Sequence, residues 1–373
     1  MSELIETQTS RHNLRHLLLS SAAAAALIAL AYTAEPAQAA DGGRPTVWIE
    51  LGGQLERVNG QGAPFAPDFT QTFADSPAFL SGSPITSQRA PRYSKGLEGK
   101  ITFAPEGSDW VFSASLLYGR ANGNKRVHQQ TAGIPLGTDS LIRMVWPSKT
   151  VLPIKAYSDV RSRVSESHAI IDFKVGKDVG VGIFGSSSVF SFGTRIAQFT
   201  SDRKTQIYAR PEVHPYGGLG KYWTNFSADG KSERSFRGIG PTVSWEGETA
   251  LAGNADGGVT FDWGVSAAVL FGRQKANIVH STLASKFEQY QFNYPNKIVY
   301  HDTPPPSVRR RSVVVPNLGG FAGLSMHYTN AKISLGYRGD FFFGAMDTGI
   351  DRRKTENMSF HGPFATISIG LGG

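Results

Sequence analysis

The stretch VTFDWGVSAAVLFG, Val259 to Gly272, sets Val, Phe, Trp, Val, Ala, Val and Phe at alternate positions, with Thr, Asp, Gly, Ser, Ala, Leu and Gly between them. A helix, with its period of about 3.6 residues, would scatter that pattern around its circumference, whereas a strand sends alternate side chains to opposite faces. The segment therefore reads as a strand with one apolar face, and what that face touches decides what the chain can be.

The alternation recurs along the chain. In TVWIELGGQLERV, Val47, Ile49, Leu51 and Leu55 share one face while Glu50, Gln54 and Glu56 share the other. In HAIIDFKVG, Ala169, Ile171, Phe173 and Val175 oppose His168, Asp172 and Lys174. Ten strands are predicted, near 46–58, 95–104, 109–120, 163–175, 188–200, 233–246, 258–273, 313–328, 331–344 and 357–371, or twelve if 203–213 and 274–280 also pair. Long connections at 59–94, 121–162, 201–232 and 274–312 alternate with short ones at 105–108, 176–187, 247–257 and 329–330. Short periplasmic turns, long external loops and an even strand count are the habit of bacterial outer-membrane barrels. An exported soluble β-sandwich or propeller is the competing architecture, and it has no reason to keep that asymmetry. The expected fold is all-β: an antiparallel transmembrane β-barrel over residues 40–373.

The start of the chain fits export. Arg11 and Arg15 precede the apolar run LLLSSAAAAALIALA, and Ala37, Gln38 and Ala39 form an A-x-A site, which predicts a cleaved signal peptide over residues 1–39. With 42 Gly, no Cys and charged residues at 18%, the composition suits a turn-rich β protein and removes thiol catalysis, cysteine metal clusters and disulfides. The formal charge of +8 draws anionic surfaces. In an exported protein these are the phosphates of lipopolysaccharide rather than nucleic acid. Trp110, Trp245 and Trp263 fall at one end of the predicted strands, and Tyr118, Phe271, Phe341 and Phe343 at the other, as aromatic interface belts do.

LGYRGDFFFGA followed by GPFATISIGL resembles the terminal hairpin of proteobacterial outer-membrane barrels, and is similar to the pore-forming major-outer-membrane-protein family described from legionellae. The resemblance covers about the last 60 residues together with the predicted signal peptide. It implies an outer-membrane protein assembled by the barrel-insertion machinery, with a passive channel as its role. One departure stands out: such chains commonly end in an aromatic residue, and this one ends Leu371, Gly372, Gly373.

Motifs of soluble chemistry are weak. Gly180, Gly182 and Gly185 imitate a dinucleotide fingerprint, but a strand-like segment follows where a helix is required. Gly230, Lys231 and Ser232 lack the upstream glycine of a phosphate loop. The nine histidines are scattered, so no metal site or cofactor is expected. His168 and Asp172 are the single His–carboxylate pair worth weighing for acid–base work, and residues four apart on a strand stand roughly 13 Å apart, too far to bond directly.

The charges on the opposite faces say more. Glu50, Glu98, Lys100, Asp172, Lys174, Arg195, Asp262, Arg338 and Asp340 are predicted to point into the lumen. They either fill it as ion pairs or line an aqueous constriction for small solutes or ions, in which case Arg195 and Arg338 would favour anions. Ten strands imply a narrow or plugged pore. Arg309, Arg310 and Arg311, after three prolines, read either as a solvated loop tip or as contacts to lipopolysaccharide phosphates. The expected role is a non-enzymatic, small porin-like channel or structural surface protein. A surface hydrolase or protease built on a barrel, or a receptor or adhesin acting through its loops, is the alternative.

Overall fold

The computed structural model describes residues 46–59, 94–130, 157–179, 187–210, 213–216, 220–254, 257–289, 296–303, 305–328, 330–350 and 352–371. Twelve strands are formed: β1 (Val47–Asn59), β2 (Ser94–Phe103), β3 (Trp110–Gln130), β4 (Tyr157–Asp178), β5 (Ser187–Arg210), β6 (Val213–Tyr216), β7 (Gly220–Asn254), β8 (Gly257–Gln289), β9 (Asn296–Asp302), β10 (Ser307–Tyr328), β11 (Ala331–Asp347) and β12 (Thr355–Leu371). Every pairing is antiparallel, and the sheet closes on itself where β7 pairs with β8 and β1 with β12.

The closed ring has ten staves, not twelve. β6 pairs only with β7 and β9 only with β8, each beyond the distal end of a longer neighbour. Pro211 stands between β5 and β6, and Pro304, Pro305 and Pro306 between β9 and β10. Proline has no N–H to give a ladder, and Pro305 and Pro306 lie outside any strand. The segments 203–213 and 274–280, weighed as two extra strands, mostly continue β5 and β8.

The ten predicted strands coincide with the ten staves, but most staves run further. Residues 121–130, 157–162, 201–210, 220–232, 274–289 and 307–312, expected in long connections, are strand. β7 and β8 are 35 and 33 residues long, against 13 and 10 for β1 and β2, so one side of the barrel rises as a tall wall. Residues 60–93 and 131–156, the predicted signal peptide and the glycines 180, 182 and 185 lie outside the described residues. The end carrying Val47 and Leu371 is the terminal end below; the other is the distal end.

Side-chain parity sorts the chain into two surfaces. Leu51, Leu97 and Leu335 point outward and are 64%, 67% and 61% exposed, with Phe112, Phe173, Phe192, Ile239, Phe271 and Val314 in the same outer band. Trp110 and Trp245 stand at its terminal edge, where Trp245 donates to Ser188 Oγ at 3.0 Å and meets Trp263 edge-on at 5.0 Å; Trp263, expected in the same outer belt, is instead buried. Inside, a layer of Phe199, Phe236, Phe342 and Phe360, each at most 3% exposed, crosses the lumen with Leu117, Ile170, Leu270 and Val315 around it. Ring centroids separate by 4.7 Å for Phe199 and Phe342, 5.2 Å for Phe199 and Phe360, and 5.5 Å for Phe199 and Phe236.

One polar pair is set into that layer. His168 stacks on Phe360 at 3.9 Å and its Nε2 lies 3.2 Å from Glu56 Oε1, both side chains sealed from solvent. Gly96 and Gly119 make the room, since a Cβ at either would overlap the Glu56 carboxylate, and at Gly119 also the His168 ring. Gly119→Ala should therefore lower the unfolding free energy by about 1–3 kcal/mol in a urea titration of the refolded barrel. Gly99→Ala, whose Cβ would meet only Leu51 at ordinary contact distance, should leave it unchanged.

Candidate functional site

Strand parity decides which charges enter the lumen, and inter-stave register decides which of them meet. On β5 the inward positions run Arg195, Ala197, Phe199, Ser201, Arg203; on β4 they run Lys174, Asp172, Ile170, His168, Glu166. Both staves thus give charge, then apolar layer, then charge again. All nine predicted lumen residues line one cavity of about 330 Å³ on the terminal side of the aromatic layer.

Within it, the charges are paired. Arg195 grips Asp172 with two hydrogen bonds of 2.7 and 2.6 Å, and reaches Asp340 at 3.2 Å and Asn317. The pairing follows from register, because Asp172 lies directly opposite Arg195 on the neighbouring stave. Arg338 pairs with Glu98 and lies over the rings of Phe364 and Phe321, at 4.9 and 5.5 Å. Lys100 and Lys174 share Glu246 at 3.0 and 2.6 Å. Lys332 sits between Asp262 and Glu248 at 2.6 and 3.0 Å, and Glu50 accepts from Ser368 at 3.2 Å.

Arg195 and Arg338 are therefore not free to attract anions, as the sequence suggested for an aqueous constriction: their charge is met by Asp172, Asp340 and Glu98. The cavity is lined by seven carboxylates (Glu50, Glu98, Asp172, Glu246, Glu248, Asp262 and Asp340) against five cations (Lys100, Lys174, Arg195, Lys332 and Arg338). Its field leans negative. Sequence reasoning did not name Glu246, Glu248 and Lys332 as members: Glu246 and Lys332 lay on the inward faces of the predicted strands 233–246 and 331–344, and Glu248 lay just past the first of them.

The structure also rearranges the acid–base candidates. His168 meets Glu56 from β1, while Asp172 is occupied by Arg195. Glu248, Asp262 and His327 bring ligand-type atoms within 4.8 Å of one another at the terminal end. Lys332 already bonds both carboxylates there, which supplies the cation that a metal would bring.

On the distal side the connection between β11 and β12 is pinned to the barrel wall, where Arg309 pairs with Asp347 at 2.8 Å and donates to the carbonyls of Gly349 and Ile350 at 2.8 and 2.7 Å. Arg234 donates to Thr348 O at 2.9 Å. The arginine run after the prolines is thus strand, with Arg309 turned inward and Arg310 outward on β10.

No protein-family model and no curated protein matches the chain. Among solved structures, the P. putida toluene transporter TodX aligns with 90% of this chain and 91% of its own, at 9% identity and a TM-score of 0.20. A bacterial polysaccharide outer membrane secretin aligns with 88% of this chain and 100% of its own, at 9% identity and a TM-score of 0.19. Likenesses this loose transfer no mechanism.

Replacing one member of the buried network leaves its partners charged and unpaired. Arg195→Ala should lower stability by about 3–5 kcal/mol, read as a shift in the denaturant midpoint of the refolded barrel. Arg126→Ala, which removes the exposed pair with Asp159, should leave that midpoint unmoved.

Proposed function

We propose that this chain is an integral outer-membrane β-barrel whose narrow lumen is held shut by the aromatic layer and passes small cations when that layer parts. The observation that carries the reading is the inverted distribution of polarity in a closed sheet. Leucine, phenylalanine and valine face outward over a continuous band, while ionised groups face inward. In water that band would be a cost to solubility; against acyl chains it is the surface that lipid requires. A spanning strand needs roughly ten residues, and every stave supplies them.

The lumen has the order expected of a gate. Ionised groups lie on both sides of one apolar layer, with the cavity of about 330 Å³ on one side and Arg203, Arg234 and Glu166 on the other. A hydrophobic constriction can stop ions by excluding water, without a physical plug. The net negative cavity favours cations over anions in any open state. The terminal hairpin β11–β12 is the segment that the barrel-insertion machinery would read. A second reading, a receptor acting at the distal face, is favoured by a hollow of about 830 Å³ among the tall staves, lined by Arg161, Lys204, Asp229, Lys231 and His280.

Planar-bilayer recording of the refolded full chain tests the first reading. The unaltered protein should be silent or show brief openings, and Phe199→Ala with Phe342→Ala should give sustained, cation-preferring steps. Silence from that pair, with folding verified by a heat-dependent gel shift, would contradict a gated lumen; anion preference would contradict the electrostatic assignment.

A further inference from the structure

The outer face of β7, β8 and β10 carries four exposed cations, none of them in an ion pair with a described carboxylate. Arg237 on β7 lies directly opposite Arg273 on β8, and Lys275 on β8 lies directly opposite Arg310 on β10. Arg273 and Lys275 are two residues apart, hence on one face, and all four side chains are exposed. Like charges directly across a ladder repel and weaken the pairing. Among the described residues, no carboxylate forms an ion pair with any of the four.

Glu233, whose charge acts on Lys275, is already engaged by Lys231 at 2.6 Å. Partial burial pushes its carboxyl up, and the hydrogen bond and charge of Lys231, the hydrogen bond from Asn277 and the charge of Lys275 outweigh this, leaving it below the ordinary range.

The height of the patch is as informative as its charge. One step toward the terminal end, Ile239, Phe271 and Val314 stand side by side on the same three staves, each more than half exposed. The cations therefore cap the apolar band directly. Beside them the wall changes construction: the ladder between β10 and β11 extends distally only to Asn317 and Phe342. Pro316 has no N–H to continue it, and Gly344, at φ +69°, turns β11 away. A hollow of about 680 Å³ opens there, with Phe271, Val313 and Val314 below and Arg273, Arg311 and Arg353 around it.

We propose that this seam docks a phosphorylated glycolipid of the outer leaflet, its phosphates held by Arg237, Arg273, Lys275 and Arg310 and an acyl chain laid over Phe271 and Val314. The assignment rests on the outer-membrane reading above. Guanidinium forks match phosphate oxygens two at a time, and a phosphate between opposed cations removes the repulsion that the empty ladder carries. The hollow accepts the apolar portion of the same molecule, so charge and grease are matched in one ligand. Of the run Arg309 to Arg311, only Arg310 and Arg311 are available to it, because Arg309 is committed to Asp347 inside the barrel.

The test uses the refolded full chain in phosphatidylcholine liposomes, with integration of each variant verified first by resistance to carbonate extraction. Binding of fluorescent bisphosphorylated lipid A is then compared with its dephosphorylated form, with and without inorganic pyrophosphate as competitor. The phosphorylated lipid should bind about tenfold tighter or more than the dephosphorylated one, and Arg273→Gln with Arg310→Gln should abolish that preference. Lys95→Gln, at an exposed position on the outer face of β2, should retain it. Equal binding of the two lipids, an unaffected double variant, or full displacement by pyrophosphate at equimolar concentration would overturn the lipid site while leaving the membrane reading intact. A chain extracted by carbonate would overturn both.

Discussion

A closed sheet leaves each side chain two destinations, inside or outside, and every other property of this protein follows from how its residues divide between them. Closure requires β7 to meet β8 and β1 to meet β12, after which the ring of ten staves is unbroken around the barrel, only the short β6 and β9 staying one-sided, and register on any stave is coupled to register on all. A slip of one residue would send Arg195, Asp172 and Asp340 to the outer band and bring Phe173, Ile196 and Phe341 inside. The buried ion pairs thus act as a register device as well as a filling. Their net contribution to stability is small or unfavourable against an apolar filling, whereas a lost partner is costly.

The filling is stratified. From the terminal end distally come paired charges, an aromatic layer and a second polar level beneath a pinned connection. This order explains why a ten-stave lumen can be charged over much of its length and still closed. Water admitted from either end stops at Phe199, Phe236, Phe342 and Phe360. The His168–Glu56 pair is set into that stop rather than beside it, in space kept free by Gly96 and Gly119. The outer surface is stratified too, from tryptophans through aliphatic side chains to the cations of β7, β8 and β10.

Much of this was legible in the sequence, because a period of two assigns a face to every residue of a strand without further information. Glu50, Glu98, Lys100, Asp172, Lys174, Arg195, Asp262, Arg338 and Asp340 share one cavity for that reason. Parity says nothing of height, however. That His168 would meet Glu56 rather than Asp172, or that Glu246 would bridge Lys100 and Lys174, depends on the stagger between staves that are distant in sequence. The distal extensions of β3, β5, β7 and β8 were hidden for a different reason. Past Thr200 both faces of β5 carry polar residues, as in Arg203, Lys204 and Thr205, so the apolar contrast that marks a lipid-facing strand disappears. Proline at 211 and 304–306 then imitates loop composition within staves that resume beyond it.

The central claim is that one dry aromatic layer divides the lumen, and thiol accessibility tests it directly in a chain that has no cysteine of its own. Ser201→Cys lies on the distal side of the layer and Ser115→Cys in the cavity on the terminal side. In barrels reconstituted with one orientation, a membrane-impermeant thiol reagent added at the distal face should reach position 201 and not position 115, and the pattern should invert when it is added at the terminal face. Equal labelling of both positions from one face would show a continuous water path and contradict the account.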